Sequence, residues 1–149
     1  MNIPVVVCET GNVFSGMPIC IALLAAMAAA PAIAGDPVAS FENLPVAASR
    51  GRMLSQAEVR DAIVLGASAR KWKVNYVAAG LLVARLNVAG RHLVEVDIRY
   101  GPQYYSVLYR DSINMNYRTA DATIHPNYNR WTRELVQSID YAMQRARVE

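Results

Sequence analysis

The chain has 149 residues, enough for one domain, with a formal net charge of +3 and 2 cysteines. Both cysteines, Cys8 and Cys20, precede Ala34, so the chain beyond that point excludes disulfides and thiolate metal sites. All 15 Lys and Arg follow Ala34 and, of the 12 acids, only Glu9 precedes it; the basic excess is mild and scattered, unlike the one-sided patch of a nucleic-acid-binding domain, and no nucleic-acid partner is expected.

Pro18 to Ala34 reads PICIALLAAMAAAPAIA, an apolar run without a charge, and Gly35-Asp36-Pro37 follows it. Ala32 and Ala34 supply the small side chains that a signal peptidase reads, so residues 1–34 are expected to form a signal segment cleaved after Ala34, giving a periplasmic or secreted protein. The stretch before the run departs from the usual pattern, holding Glu9 and no Lys or Arg; Met17 is therefore an alternative start. The rival reading is an uncleaved anchor, for which the run is short against the ~20 apolar residues of a spanning helix. Membrane contact would then be confined to this segment. Cys20 precedes the run and follows Pro18-Ile19, the wrong place for lipid attachment.

Residues 35–53, with Pro37, Pro45 and Gly51, are expected to form an extended arm that becomes ordered near Leu44, with a short apolar contact at Phe41 or Leu44–Val46. An α+β domain spans 54–149. Its first helix opens on Ser55 with Glu58 three residues on, a capping box, and should stop near Trp72. Val59, Ala62, Ile63, Gly66 and Ala69 make its thin apolar face, whose small residues suggest close packing on a sheet.

Four strands follow. Trp72–Val77 alternates with Trp72, Val74 and Tyr76 on one side; Leu81–Val88 ends at the hairpin signal Ala89-Gly90. In His92–Tyr100, Val94, Val96, Ile98 and Tyr100 point one way and Glu95, Asp97 and Arg99 the other; in Tyr104–Asp111, Tyr105, Val107 and Tyr109 point inward. A last helix starts near Pro126–Tyr128, capped by Asn127 or begun by Pro126, and runs to about Arg145 with Tyr128, Trp131, Leu135, Ile139 and Ala142 or Met143 as its stripe; Arg145 and Arg147 suit its negative end. The expected fold class is α+β, a single small domain in the order α-β-β-β-β-α, with an antiparallel four-stranded meander and both helices on one face.

Arg85, Glu95, Asp97, Arg99 and Arg110 fall on the wet face of that sheet and read as cross-strand charge pairs before they read as a binding site. Glu95 and Asp97, ~7 Å apart by strand rise, would be kept ionised by Arg85 and Arg99, which argues against a proton donor for glycoside cleavage. The 2 histidines, His92 and His125, fall short of the three ligands of a catalytic zinc, and no metal or other cofactor is expected. Asp111, Ser112 and His125 are the residue types of a nucleophilic relay, but Asp111 and Ser112 are adjacent, so their side chains diverge. No catalytic residue is assigned. Trp72 and Trp131 read as core anchors.

The connection from Ser112 to Asn127 holds the remaining candidates. Its asparagines either satisfy backbone groups in a turn-rich segment, with His125 restrained by Pro126 as a packing residue, or Asn114, Asn116, Tyr117, His125 and Arg130 line a polar pocket suited to hydroxyl-rich or carboxylate ligands. The stretches DSINMNY at Asp111–Tyr117 and IHPNYNRW at Ile124–Trp131, with Trp72-Lys73-Val74 and Tyr105-Ser106-Val107, resemble a family of small exported proteins and lipoproteins of Gram-negative bacteria marked by DSxNLNY and IHxNYNxW. The resemblance covers roughly Ser55 to Ile139. It implies a Gram-negative periplasmic address and brings no catalytic residue; the chain departs from the lipoprotein members in lacking a lipid-attachment cysteine.

The leading functional reading is a non-enzymatic envelope domain that binds another envelope protein or a cell-wall component through an open sheet edge or an apolar patch. The second is a module for a small ligand or cell-wall glycan using the Asn/His loop. The third is a hydrolase.

Overall fold

The structure, a computed structural model, describes residues 35–46 and 52–146. The expected signal segment, its cleavage point and Arg147 lie outside the described residues. The elements are β1 (Asp36–Pro37), β2 (Phe41–Pro45), α1 (Gln56–Ala69), β3 (Lys73–Ala78), β4 (Leu81–Val88), β5 (His92–Tyr100), β6 (Tyr104–Ile113), β7 (Thr123–Ile124) and α2 (Pro126–Ala146). The fold is α+β, with two helices and an antiparallel sheet.

The sheet has five strands rather than the expected four, in the order β2-β6-β5-β4-β3, and β1 pairs separately with β7. The additional strand comes from the stretch read as an arm. Phe41 and Leu44 pair opposite Val107 and Tyr105, rest against the core, and leave Val46 buried behind them. The expected apolar contacts are therefore present, and they are held by a strand ladder. The arm is ordered well before Leu44 because Asp36 and Pro37 pair with Ile124 and Thr123, and because Asn129 clamps the backbone between β1 and β2.

The period-2 alternation is realised across the meander. Val94, Val96 and Ile98 are fully buried, Tyr100, Tyr105 and Val107 nearly so, and these residues join the buried residues of α1 and α2 in one core. The β4–β5 hairpin turns at Ala89 (φ 54°) and Gly90 (φ 68°), with Arg91 N–H donating to the Val88 carbonyl at 3.1 Å, the left-handed pair that matches strand twist. One irregularity interrupts β5–β6. Val96 pairs with Tyr109 and Glu95 with Asp111, which leaves Arg110 as the extra residue of a bulge.

Helix α1 begins as expected: Ser55 N–H donates to Glu58 Oε2 at 2.8 Å and Glu58 N–H to Ser55 Oγ at 3.3 Å. It ends at Ala69, with Lys71 left-handed (φ 64°), Lys71 N–H on the Ser68 carbonyl and Trp72 N–H on the Ala67 carbonyl, both at 3.0 Å. That is a Schellman motif with lysine where glycine is usual, and it drops Trp72 into the core. Ala67 is buried where Ala69 was expected, and Ala69 is exposed.

The small residues of α1 serve helix–helix contact rather than the expected close approach to the sheet. A Cβ on Gly66 would stand 2.6 Å from Ile139 Cα, and Ser138 Oγ donates to the Gly66 carbonyl at 2.8 Å. Helix α2 starts with Pro126, but its cap is His125 and not Asn127. The His125 carbonyl accepts from Tyr128 N–H at 2.9 Å, and its Nδ1 accepts from Asn127 N–H at 3.1 Å. The proline requires an extended residue before it, which aims the imidazole back over the helix start. Of the expected stripe, Tyr128, Leu135, Ile139, Ala142 and Met143 are buried and Trp131 is half-buried.

Candidate functional site

Two regions compete for function: the loop after β6, and the side of the sheet opposite the core. In the loop, Asn114 (φ 58°) and Asn116 (φ 50°) are both left-handed and flank Met115, which is buried. Asparagine tolerates that conformation better than most residues, so the pair turns the chain twice and lets Met115 plug the core. His125 N–H closes the loop by donating to the Met115 carbonyl at 2.8 Å.

The five candidates of this loop do not converge on one cavity among those described. Asn114 is tied to the β4–β5 hairpin: its Nδ2 donates to the Arg91 carbonyl at 2.7 Å and its own carbonyl accepts from His92 Nδ1 at 2.9 Å. His125 caps α2. Tyr117 stacks on Tyr109 with ring centroids 4.4 Å apart, and Tyr109 meets the edge of Tyr128 at 5.6 Å. Asn116 and Arg130 are exposed. The loop thus brings Met115 and His125 together, and ties Asn114 to a different hairpin.

The residue types of a nucleophilic relay are also dispersed. Ser112 Oγ pairs with Tyr109 Oη at 3.0 Å, Asp111 Oδ1 accepts from Ser112 N–H at 2.7 Å, and His125 Nδ1 is engaged by Asn127. Among the described residues no cluster of three or more metal-ligating side chains occurs. Two polar anchors escaped the sequence reading. Asn129 Nδ2 donates to the Pro37 carbonyl and its Oδ1 accepts from Ala39 N–H, each at 2.8 Å, so one buried amide imitates a strand partner for the arm. Tyr105 Oη donates to Asp140 Oδ1 at 2.6 Å, joining β6 to α2; burial first, and then this carboxylate, raise the phenol's pKa. Alternation identified Tyr105 as inward, but its partner lies 35 residues away in sequence and left no local signal.

The sheet surface opposite the core carries an ion-pair ladder. Arg85 Nη2 lies 2.5 Å from Glu95 Oε1, Arg110 Nη1 lies 2.8 Å from Asp97 Oδ1, and Arg110 Nε lies 3.8 Å from Glu95 Oε2. The cations flanking the two carboxylates are therefore Arg85 and Arg110, not Arg85 and Arg99. The bulge swings Arg110 over the neighbouring strand, whereas Arg99 faces Leu81 and Ser106 in register. Arg99 instead lines a shallow depression of about 440 Å³ with Glu42, Leu81, Tyr104, Ser106 and Leu108.

The sheet ends in two unlike edges. On one side β2 is short, its register shifts between Phe41 and Leu44, Asn43 is left-handed (φ 52°), and its last residue is Pro45. On the other, β3 pairs regularly with β4 from Lys73 to Tyr76, and its far side has no strand partner among the described residues. Tyr76, read as sharing one side with Trp72 and Val74, does so by register but is 62% exposed, and Val77 is 54% exposed. A side chain at a sheet margin lacks the second neighbouring strand that would cover it. Compared with known proteins, the chain matches no family model, no curated protein and no solved structure.

Proposed function

We propose that this is a non-catalytic interaction domain of the bacterial envelope that docks a partner protein through the part of its sheet that the helices leave bare. The observation that carries this reading is the β3 margin, a regular strand whose backbone on one side is unpaired among the described residues, with exposed Tyr76 and Val77 beside it. Soluble domains normally blunt such an edge, as this one does at β2. Support also comes from the ion-pair ladder, which pins the bare face in one geometry, and from the dispersal of Asp111, Ser112 and His125 among other partners. The export half of the proposal rests on the apolar segment before Gly35 and on the resemblance of the DSINMNY and IHPNYNRW stretches to exported proteins. Among the described residues no helix is long and apolar enough to cross a membrane.

Site-specific photo-crosslinking in a Gram-negative host tests it, with the photoreactive residue placed in turn at Tyr76, Arg99, Tyr117 and Arg133. Discrete protein adducts from Tyr76 or Arg99, with none from the exposed helix position Arg133, are expected. Adducts confined to Tyr117 would move the site to the loop, and adducts from Arg133 alone would place it on α2; either outcome overturns the sheet reading. Mass spectrometry of the same protein should find a terminus at Gly35, and an intact Met1 or Met17 would refute cleavage.

A further inference from the structure

We infer that the partner at the β3 edge is a second copy of this chain, joined to the first by antiparallel β3–β3 pairing about Asn75; this rests on the interaction-domain reading above. The backbone register leads there. Tyr100 N–H donates to the Gly80 carbonyl, so the alternation of an antiparallel ladder makes Leu82 and Ala84 bond toward β5 and Val83 and Arg85 bond toward β3. Val83 and Arg85 lie opposite Asn75 and Lys73. The backbone groups of Val74 and Tyr76 are therefore the ones that face outward, unpaired among the described residues.

A two-fold axis through Asn75 satisfies both residues at once, since Val74 of each copy then lies opposite Tyr76 of the other and exchanges both hydrogen bonds. That register is also the chemically compatible one. It sets an aromatic ring against a β-branched side chain, a favourable cross-strand pair, and covers the exposed Tyr76. The two Asn75 side chains meet at the axis, where each can donate and accept. Lys73, the sole charge on β3, falls opposite Val77 instead of its own copy, so no like charges oppose. A register centred on Val74 would need the buried Trp72 as a pairing residue, and one centred on Tyr76 would run into the irregularity between Tyr76 and Ala78. The edge is thus self-complementary over the stretch where it is regular.

The test is the solution mass of the full chain by sedimentation over a concentration series, with three variants. The wild type should show a monomer–dimer equilibrium. Asn75→Lys and Asn75→Asp each place like charges together at the axis; each alone should shift toward monomer, and an equimolar mixture should associate about tenfold more tightly than either. Tyr76→Pro deletes an N–H that faces away from β4, so it should abolish the dimer while thermal melting shows the monomer still folded. A wild type that is monomeric throughout, or a dimer indifferent to all three variants, overturns the inference. If the chain is monomeric and Tyr76 nevertheless crosslinks to a foreign protein, the second copy is refuted and the interaction-domain reading stands. If neither occurs, both fall.

Discussion

Tyr105 and Tyr128 are both buried in the core, and they differ in what their hydroxyls meet. Tyr105 Oη donates to Asp140, whereas Tyr128 Oη has no hydrogen-bond partner among the described residues. Replacing each by phenylalanine removes one oxygen and should act with opposite sign. A hydrogen bond to a charged group contributes roughly 1.5–3 kcal/mol. Asp140 is only half-buried and can recover some hydration, so Tyr105→Phe should cost about 1–2 kcal/mol. An unsatisfied buried hydroxyl carries a desolvation penalty of about 1–3 kcal/mol, and the contacts of a single atom return only a few times ~0.1–0.2 kcal/mol. Tyr128→Phe should therefore stabilise the fold by about 0.5–1.5 kcal/mol, a rise of ~4 °C in Tm per kcal/mol for a domain of this size. Urea unfolding at constant m measures both. A Tyr128→Phe variant as destabilised as Tyr105→Phe would refute the reasoning, because it would require a partner for the Tyr128 hydroxyl.

Gly66→Ala should destabilise by about 2–3 kcal/mol by thermal melt, since the methyl would meet Ile139 backbone and the helices must part; an exposed helical glycine would respond with the opposite sign. Glu58 is held down to about 2 from 4.5, first by the Arg52 hydrogen bond and then by the Ser55 backbone and side chain. Its folded pKa is depressed, so its support is complete above about pH 4.5 and fades as pH falls toward about 2. Glu58→Gln should accordingly flatten the dependence of Tm on pH in that window. Asn129→Ala leaves Ala39 N–H and the Pro37 carbonyl without their partner, and should speed hydrogen exchange at Val38 and Ala39 while the β4–β5 amides stay protected. Lys71→Gly should stabilise by about 1 kcal/mol in chemical denaturation, because the position is left-handed and a side chain there is strained.

The meander and both helices were legible from residue order, and the reason is geometric. A side chain's face in β5 depends on odd or even position, and the start of α1 depends on Ser55 and Glu58 three residues apart, so neither needs distant information. The asparagines flanking Met115 were legible as turn formers; that Asn114 would bind the Arg91 carbonyl was not, since the two residues, 23 apart along the chain, meet only once β5 and β6 have paired in register. Of the two readings of the α2 start, Pro126 in the first turn holds and an Asn127 cap does not; His125 caps the helix, which sequence does not signal because histidine is an uncommon cap and the acceptor depends on which way the ring is turned.

Local periodicity therefore settled the four meander strands, both helices and most of their apolar faces, because those properties repeat within a few residues. Folding alone supplied β2 as a fifth strand, the close crossing at Gly66, the Asn129 clamp and the bare margin at β3. Each of these pairs groups far apart along the chain, and a backbone hydrogen bond or a van der Waals contact has no sequence signature until both partners have been carried to the same place.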